Sequence, residues 1–381
     1  MKPTLKASVV TFATFVFVLL LVPGAAAVTP TAQHSGLHIN WEQQSSTGLG
    51  KPDGMPAGAY AKGNYVVSTE ADNIGGRIWV SSNGIDWTLA WSGNETPGDI
   101  VPGGPGFVGW ASGILLSDNG HSWTHANAGV PAKLLNSDFP QLGSAGGVVV
   151  AFPDSGHGYW SSDGHTWTSI SGGPQDPITL AGDGTNLWAL TGGRDFDSGT
   201  TSPVLLWVTA DGQHWTQSAQ LPNSRRTSGL RAAFGPLGGV VIAGAKSWYS
   251  KDDVHWHVAT NTPTLTQKGR VFVQAAIGDA AGFIVTAEQY PPGCVIDPAQ
   301  ERALTWTSVD GSVWRKMSAT GWTGREIDQL FITGRTLFGI GIDWSSNDVP
   351  AGVVWTAPLP NVASDTAPPP PPPPAPGRQG C

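Results

Sequence analysis

Tyr159-Trp160-Ser161-Ser162-Asp163-Gly164-His165-Thr166-Trp167 is the stretch on which the fold turns. Its aromatic ends flank a polar centre. Asp-Gly between two apolar stretches is a strong short-hairpin signal, because residues in such a turn must tolerate positive φ. The Ser161 and Asp163 side chains are placed to bond the turn's own backbone, which fixes it locally. The flanking aromatics then lie on strands packed against neighbours, so Trp167 reads as core and not as a sugar-stacking surface.

The pattern occurs six times: aromatic or Leu, any, Ser/Thr, any, Asp/Asn, Gly, any, any, Trp. The other copies span 79–87, 115–123, 207–215, 248–256 and 306–314, and only 248–256 departs at the glycine, carrying Asp253 instead. The closing tryptophans stand at 87, 123, 167, 215, 256 and 314, spaced by 36 to 58 residues. That period fits four-stranded propeller blades, which take roughly 40 to 50 residues each.

The apolar strand ahead of each hairpin gives an independent count. It recurs at Tyr65-Val66-Val67, Phe107-Val108, Val148-Val149-Val150, Leu187-Trp188, Val240-Val241-Ile242, Phe283-Ile284-Val285 and Leu337-Phe338, one copy more than the hairpins. The seventh hairpin is split between the ends of the domain. Val353-Val354-Trp355-Thr356 reads as its first arm and His38-Ile39-Asn40-Trp41 as its second, with Trp41 one period before Trp87. The expected fold is all-β: a seven-bladed β-propeller of four-stranded blades, its ring closed by an N-terminal strand completing the last blade, which leaves no open sheet edge.

Composition agrees. Only 13% of residues are charged, while 51 are glycine and 18 tryptophan, which suits short strands and tight turns. The net charge of −8 argues against a nucleic-acid partner, whose phosphates require a basic face. With Cys294 and Cys381 alone there is neither a disulfide framework nor a zinc spacing. Cys381 has Cys294, another chain or no partner open to it.

The two ends read as segments outside the fold. Residues 1–27 carry Lys2 and Lys6, an uncharged apolar run over 9–22, Pro23-Gly24 and Ala25-Ala26-Ala27, the layout of a signal peptide; a retained anchor is the alternative. The propeller takes 28–360. Residues 361–381 hold an unbroken proline run over 368–374 and read as a disordered tail, or as a stiff stalk crossing a cell wall. The expected localisation is secreted or cell-wall associated, with no stable membrane span after cleavage and a monomeric state.

The nine-residue turns resemble Asp-box (BNR) repeats, which occur in sialidases, sortilin-type receptors and photosystem assembly propellers. The usual box has one more residue between Asp and Trp. The resemblance covers the whole propeller and implies a sialidase-like fold. It places the boxes on the face opposite a sialidase active site, so Asp163 and Asp211 are expected to be turn residues, not acids or metal ligands. Sialidase chemistry does not carry over. That family has an Arg-Ile-Pro motif before its first box, and here the only Arg-Ile, Arg77-Ile78, is followed by Trp79 on a hairpin strand.

A ligand site is expected at the channel mouth, on the face bearing the loops between second and third strands. Four of those loops read as long: 68–77, 192–203, 287–303 and 342–352. Three lie in blades four to seven and carry Arg194, Asp195, Glu288, Tyr290, Arg302 and Asp343. Beneath them, nine residues before Val240, Phe283 and Leu337, stand Arg231, Gln274 and Asp328, equivalent polar positions on three inner strands. They read either as the wall of a water-filled channel or as the polar floor of a pocket. Arg194-Asp195-Phe196-Asp197-Ser198-Gly199 has half the pattern of a calcium loop without its later bidentate Glu, so no metal and no cofactor are expected.

Two functional classes remain. The first is an exported, non-catalytic propeller that binds a glycan or an extracellular protein at its channel-mouth loops. The second is a glycoside hydrolase or lyase of sialidase-like fold, with pairs such as Asp195 and Glu288 doing acid/base work. An extracytoplasmic assembly factor is a further alternative.

Overall fold

The computed structural model describes residues 39–44, 48–49, 57–71, 75–95, 97–137, 140–194, 201–224, 230–243, 246–259, 270–290, 302–317, 325–344 and 351–359. These form seven antiparallel four-stranded sheets, the blades of a seven-bladed β-propeller. Blades one to six span 58–93, 100–125, 141–169, 179–220, 231–258 and 270–316. Blade seven comprises 325–358 plus Glu42–Gln44. The first strands of successive blades lie side by side, and that of blade seven returns to blade one.

Ring closure follows the expected scheme with a shift in position. Glu42–Gln44, not the stretch ending at Trp41, is the fourth strand of blade seven, pairing Gln43 with Trp355. Trp41 stands just before that strand and donates its indole Nε1 to Thr305 Oγ1 in blade six at 3.2 Å. Its ring packs between blades six and seven with Ile284, Leu337 and Ala357. Trp41 thus fills for blade seven the place that the hairpin tryptophans fill elsewhere.

The hairpin turns are longer than the two-residue form expected. In blade three the third strand ends at Ser161 and the fourth begins at Thr168. Gly164 takes φ +75°, while Asp163 does not enter the positive region. Ser161 Oγ accepts from Gly164 N at 2.8 Å, and Asp163 Oδ1 accepts from His165 N and Thr166 N at 2.8 and 2.7 Å. The side chains, not a tight backbone turn, hold the loop.

The conserved shape of the turn serves packing between blades. A Cβ on Gly164 would come within 2.5 Å of Leu116 Cδ2 in blade two. Trp167 Nε1 donates to Gly164 O at 3.0 Å. The Trp167 ring joins Val108, Ile114 and Leu116 of blade two with Leu142 and Val149 of blade three. Comparable clusters join the other neighbouring blades, so the core is a set of wedges between sheets.

Candidate channel-mouth site

In each blade the turn between first and second strands shares a face with the nonapeptide turn, because neighbouring strands are antiparallel. The second-to-third connections therefore lie on the opposite face, where each innermost strand begins. At that end the channel opens into a cavity of about 390 Å³ lined by all seven blades. Arg231, Gln274 and Asp328 line it as the sequence suggested.

The same ring level holds more polar groups than that reading found. Counted back from the first turn of each blade, it comprises Ala57, Asp99, Gln141, Ile178, Arg231, Gln274 and Asp328, and all seven line the cavity. Asp99 and Gln141 were missed because the count was anchored on the first apolar residue of the second strand, whose position varies between blades. Gln274 and Asp328 share a local cause. Each is the extra residue of a β-bulge, between Val273 and Ala275 and between Ile327 and Gln329. A bulge takes one residue out of the ladder and redirects its side chain.

The hydrogen bonds run round this ring. Arg231 donates through Nε to Gln274 O and through Nη1 to Leu230 O, both at 3.1 Å. Burial lowers the basicity of its guanidinium, and the Asp99 carboxylate opposes that effect. Asp99 Oδ2 accepts from Leu142 N at 2.9 Å. Burial raises the Asp99 pKa, partly offset by that bond and by Arg231. Gln141 Nε2 donates to Pro177 O at 2.8 Å. Gln274 Nε2 donates to Glu288 Oε1.

Beside Gln274 lies a group of acids that includes Asp328. Glu288, Glu326 and Asp328 bring carboxylate oxygens within 4.8 Å of one another, the arrangement among the described residues that could offer a cation several oxygens. Glu326 is pushed well above the usual carboxylate range, first by burial, then by the neighbouring Asp328 and by its hydrogen bond to Glu288. It therefore holds a proton more tightly than an ordinary carboxyl, and a bound metal would compete with that proton.

Several residues expected on long loops belong to strands. The second strand of blade six runs Gly282–Tyr290 and its third Arg302–Ser308, so Glu288, Tyr290 and Arg302 sit in an extended ladder. Glu288 is only 2% exposed, which makes it a support of the cavity wall and not a loop-borne contact. Asp343 ends the Thr336–Asp343 strand, pairs with Ala351 and accepts from Arg325 Nε at 3.0 Å. Arg194 ends the Leu187–Arg194 strand. The side chains of Arg194, Tyr290 and Arg302, together with Asp195, the 1–27 and 361–381 segments, Cys294 and Cys381, lie outside what is described.

The opposite end of the channel is different. A cavity of about 510 Å³ there is lined by Leu180, Ala232, Phe234, Ala276, Ile277 and Ile332 among others. Its acids Asp183 and Asp279 hold the backbone of their own turns. On that face the nonapeptide carboxylates are likewise engaged locally; bonds from the turn's backbone lower the Asp163 pKa to about 2. Among the described residues, no helix is long and apolar enough to cross a membrane.

No protein-family model matches the chain, and no curated protein is similar to it in sequence. Solved structures share the fold. YCF48 bound to D1 peptide aligns with a TM-score of 0.57 at 12% identity, over 86% of this chain and 100% of that one. A chain of the mitotic checkpoint complex aligns with a TM-score of 0.49 at 11% identity, over 91% and 99%. The α-L-arabinofuranosidase Arb93A from Fusarium graminearum, with an iminosugar inhibitor, gives 0.39 at 15% identity, over 86% and 98%. At these identities the likeness is one of fold: the chain is a β-propeller.

Proposed function

We propose that this chain is an exported, non-catalytic propeller that binds an extracellular partner at its channel mouth. The observation that carries the reading is the polar ring of Asp99, Gln141, Arg231, Gln274 and Asp328 around a cavity of about 390 Å³. A few polar groups converging on one cavity are the usual means by which a pocket orients a ligand. The nonapeptide turns are Asp-box-like elements that build the scaffold and spend their carboxylates on it. Export rests on residues 1–27, and mass spectrometry of secreted protein should find an N-terminus at Val28.

Between glycan and protein partners, the polypeptide is favoured by the peptide-bound state of the propeller aligned at a TM-score of 0.57. The test is to apply the full chain and its Arg231→Ala variant to an immobilised peptide array beside a glycan array. Peptide signals that Arg231→Ala abolishes support the reading. Signals confined to glycans change the partner class, and signals indifferent to Arg231 move the site elsewhere.

A hydrolase reading has one observation to start from, the close acids of blades six and seven. Glycosidase carboxyls stand about 5 Å or more apart with substrate between them. Glu288 and Glu326 are instead hydrogen-bonded to each other, and Glu288 is buried. That contact suits a supporting pair. Turnover of a chromogenic glycoside panel, lost in Asp328→Asn, would reinstate catalysis.

A further inference from the structure

We propose that Asn119 is a site of spontaneous deamidation, held in check by the Ser117 hydroxyl and guarded less firmly than its counterpart Asn83. Asn83-Gly84 and Asn119-Gly120 are the two Asn-Gly pairs of the chain. Both sit in nonapeptide turns, at the position where blades three to six carry Asp. In deamidation the next backbone nitrogen gives its proton to a base and attacks the side-chain carbonyl carbon. The bond to the amide nitrogen breaks, and that nitrogen takes up a proton and leaves as ammonia, with a five-membered succinimide behind. Water then opens the ring to aspartate or, with the chain rerouted through the former side chain, to isoaspartate. A following glycine, having no Cβ, leaves the approach open.

In both turns the nucleophile is occupied. Gly120 N donates to the buried Ser117 Oγ at 2.8 Å, and Gly84 N donates to Ser81 Oγ at 2.9 Å. The turns differ at the amide under attack. Asn83 gives Nδ2 to the Asp86 carboxylate at 2.8 Å, and its Oδ1 accepts from Ser81 Oγ, Ile85 N and Asp86 N. Asn119 Oδ1 accepts from His121 N at 2.9 Å, and its Nδ2 meets no acceptor among the described residues. Blade two carries Ser122 where blade one has Asp86. An amide tied at both ends must break those bonds to present its carbon to the glycine nitrogen, and Asn119 has fewer to break. Both asparagines are exposed to the water that the second step consumes.

The two products differ in consequence. Aspartate at this position reproduces the turn of blade three, where Asp163 Oδ1 accepts from His165 N at 2.8 Å. Isoaspartate adds a methylene to the backbone between residues 119 and 120, where the turn has no slack. Asn119 O accepts from Asn64 Nδ2 of blade one at 2.9 Å, and Gly120 O accepts from Trp123 Nε1 at 2.9 Å. A Cβ on Gly120 would stand 2.7 Å from Val66 Cγ2. The isoaspartyl form therefore loosens the wedge between blades one and two.

The experiment incubates the full chain at neutral pH, folded and in urea, and follows each site by peptide mapping with enzymatic detection of isoaspartate. Relative to its rate in urea, each asparagine should deamidate more slowly in the folded chain, Asn83 by the larger factor. Ser117→Ala should speed Asn119 about fivefold or more, the worth of one hydrogen bond, and leave Asn83 unchanged. Asn83 thus reports any general loosening of the fold. Ser117→Thr should restore the slow rate, since Thr209 Oγ1 holds Gly212 N at 2.9 Å in blade four. Asp86→Ala should speed Asn83 alone, and Asn119→Asp should melt as the parent does. Equal protection of the two sites in the folded parent overturns the ranking, and a rate at Asn119 as fast folded as in urea overturns the guard. A Ser117→Ala rate that is unchanged, or raised equally at both sites, overturns the part given to the hydroxyl. If Ser117→Ala does not fold, the parent and Asp86→Ala still decide the ranking, and Ser117→Thr tests the hydroxyl: a faster Asn119 there counts against it.

Discussion

Gln43 faces Trp355 across the ladder that joins Glu42–Gln44 to Ala351–Pro358, and the next residue, Gln44, donates its side-chain amide to Thr356 Oγ1 at 2.6 Å. Three residues near one end of the chain thus cover the last edge of the ring. Removing 28–44 should expose Ala351–Pro358 as an unpaired edge, a template for association. Light scattering should then show concentration-dependent aggregation and calorimetry a lower melting point. A truncated protein that stays monomeric and melts unchanged would refute the closure.

Trp167 and Asp163 belong to one turn but carry different weight. Trp167 is 7% exposed between two blades, so Trp167→Ala should cost about 3–5 kcal/mol in chemical denaturation. Asp163→Ala loses exposed turn bonds and should cost about 1 kcal/mol. Equal costs would mean that the turn, not the wedge, dominates the blade.

Asp253 occupies the glycine position of the fifth turn at φ +59°, where a non-glycine residue is strained. Its buried Oδ1 lacks a hydrogen-bond partner. Burial, with Asp183 and Asp252 nearby, raises its pKa from 3.8 to about 6. The native state therefore holds this proton more tightly than the unfolded chain, and ionisation destabilises the fold progressively from pH 3.8 to about 6. Asp253→Gly should be more stable than the parent at all pH values, by about 1 kcal/mol or more from the backbone alone. The gain should grow across that window and level off above it. Thermal melts at pH 3.5 and 7.5 decide the matter, and a pH-independent gain would show that Asp253 does not titrate in this range.

Burial, the neighbouring Asp328 and the bond to Glu288 raise the Glu326 pKa. An unfolded glutamate ionises near pH 4.5, so rising pH above that value erodes native stability. Glu326→Gln retains a donor towards Glu288 without a titrating group. It should match the parent at pH 4 and exceed it at pH 8 in urea denaturation. A variant less stable at pH 8 would mean that Glu326 is ionised in the fold.

The architecture was legible because its signals are local. Six nonapeptides and seven apolar strands report blade number directly, and Trp41 one period before Trp87 points to the closure. The site was half legible. Arg231, Gln274 and Asp328 betrayed themselves as polar residues in apolar strands, but Asp99 and Gln141 escaped a count that assumed one starting point for every second strand. Glu288 and Asp343 were assigned to loops because nothing in the sequence shows how far a ladder continues past its apolar core.

What the sequence by itself determined is the repeat and its chemistry: turns built from Ser, Asp, Gly and Trp, whose bonds stay within a few residues, and strands whose apolar pattern is set by burial between blades. What only the tertiary structure decided is the channel mouth. Its polar groups come from five blades spread over 99–328, and two reach it through β-bulges that depend on pairing with a second strand. The orientation of Gln141 and Gln274 depends on Pro177 and Glu288, acceptors that the fold brings beside them. An amide's donors and acceptor are equivalent in a sequence. Neighbouring groups of fixed hydrogen-bonding sense choose between them, and that choice is made only in the folded ring.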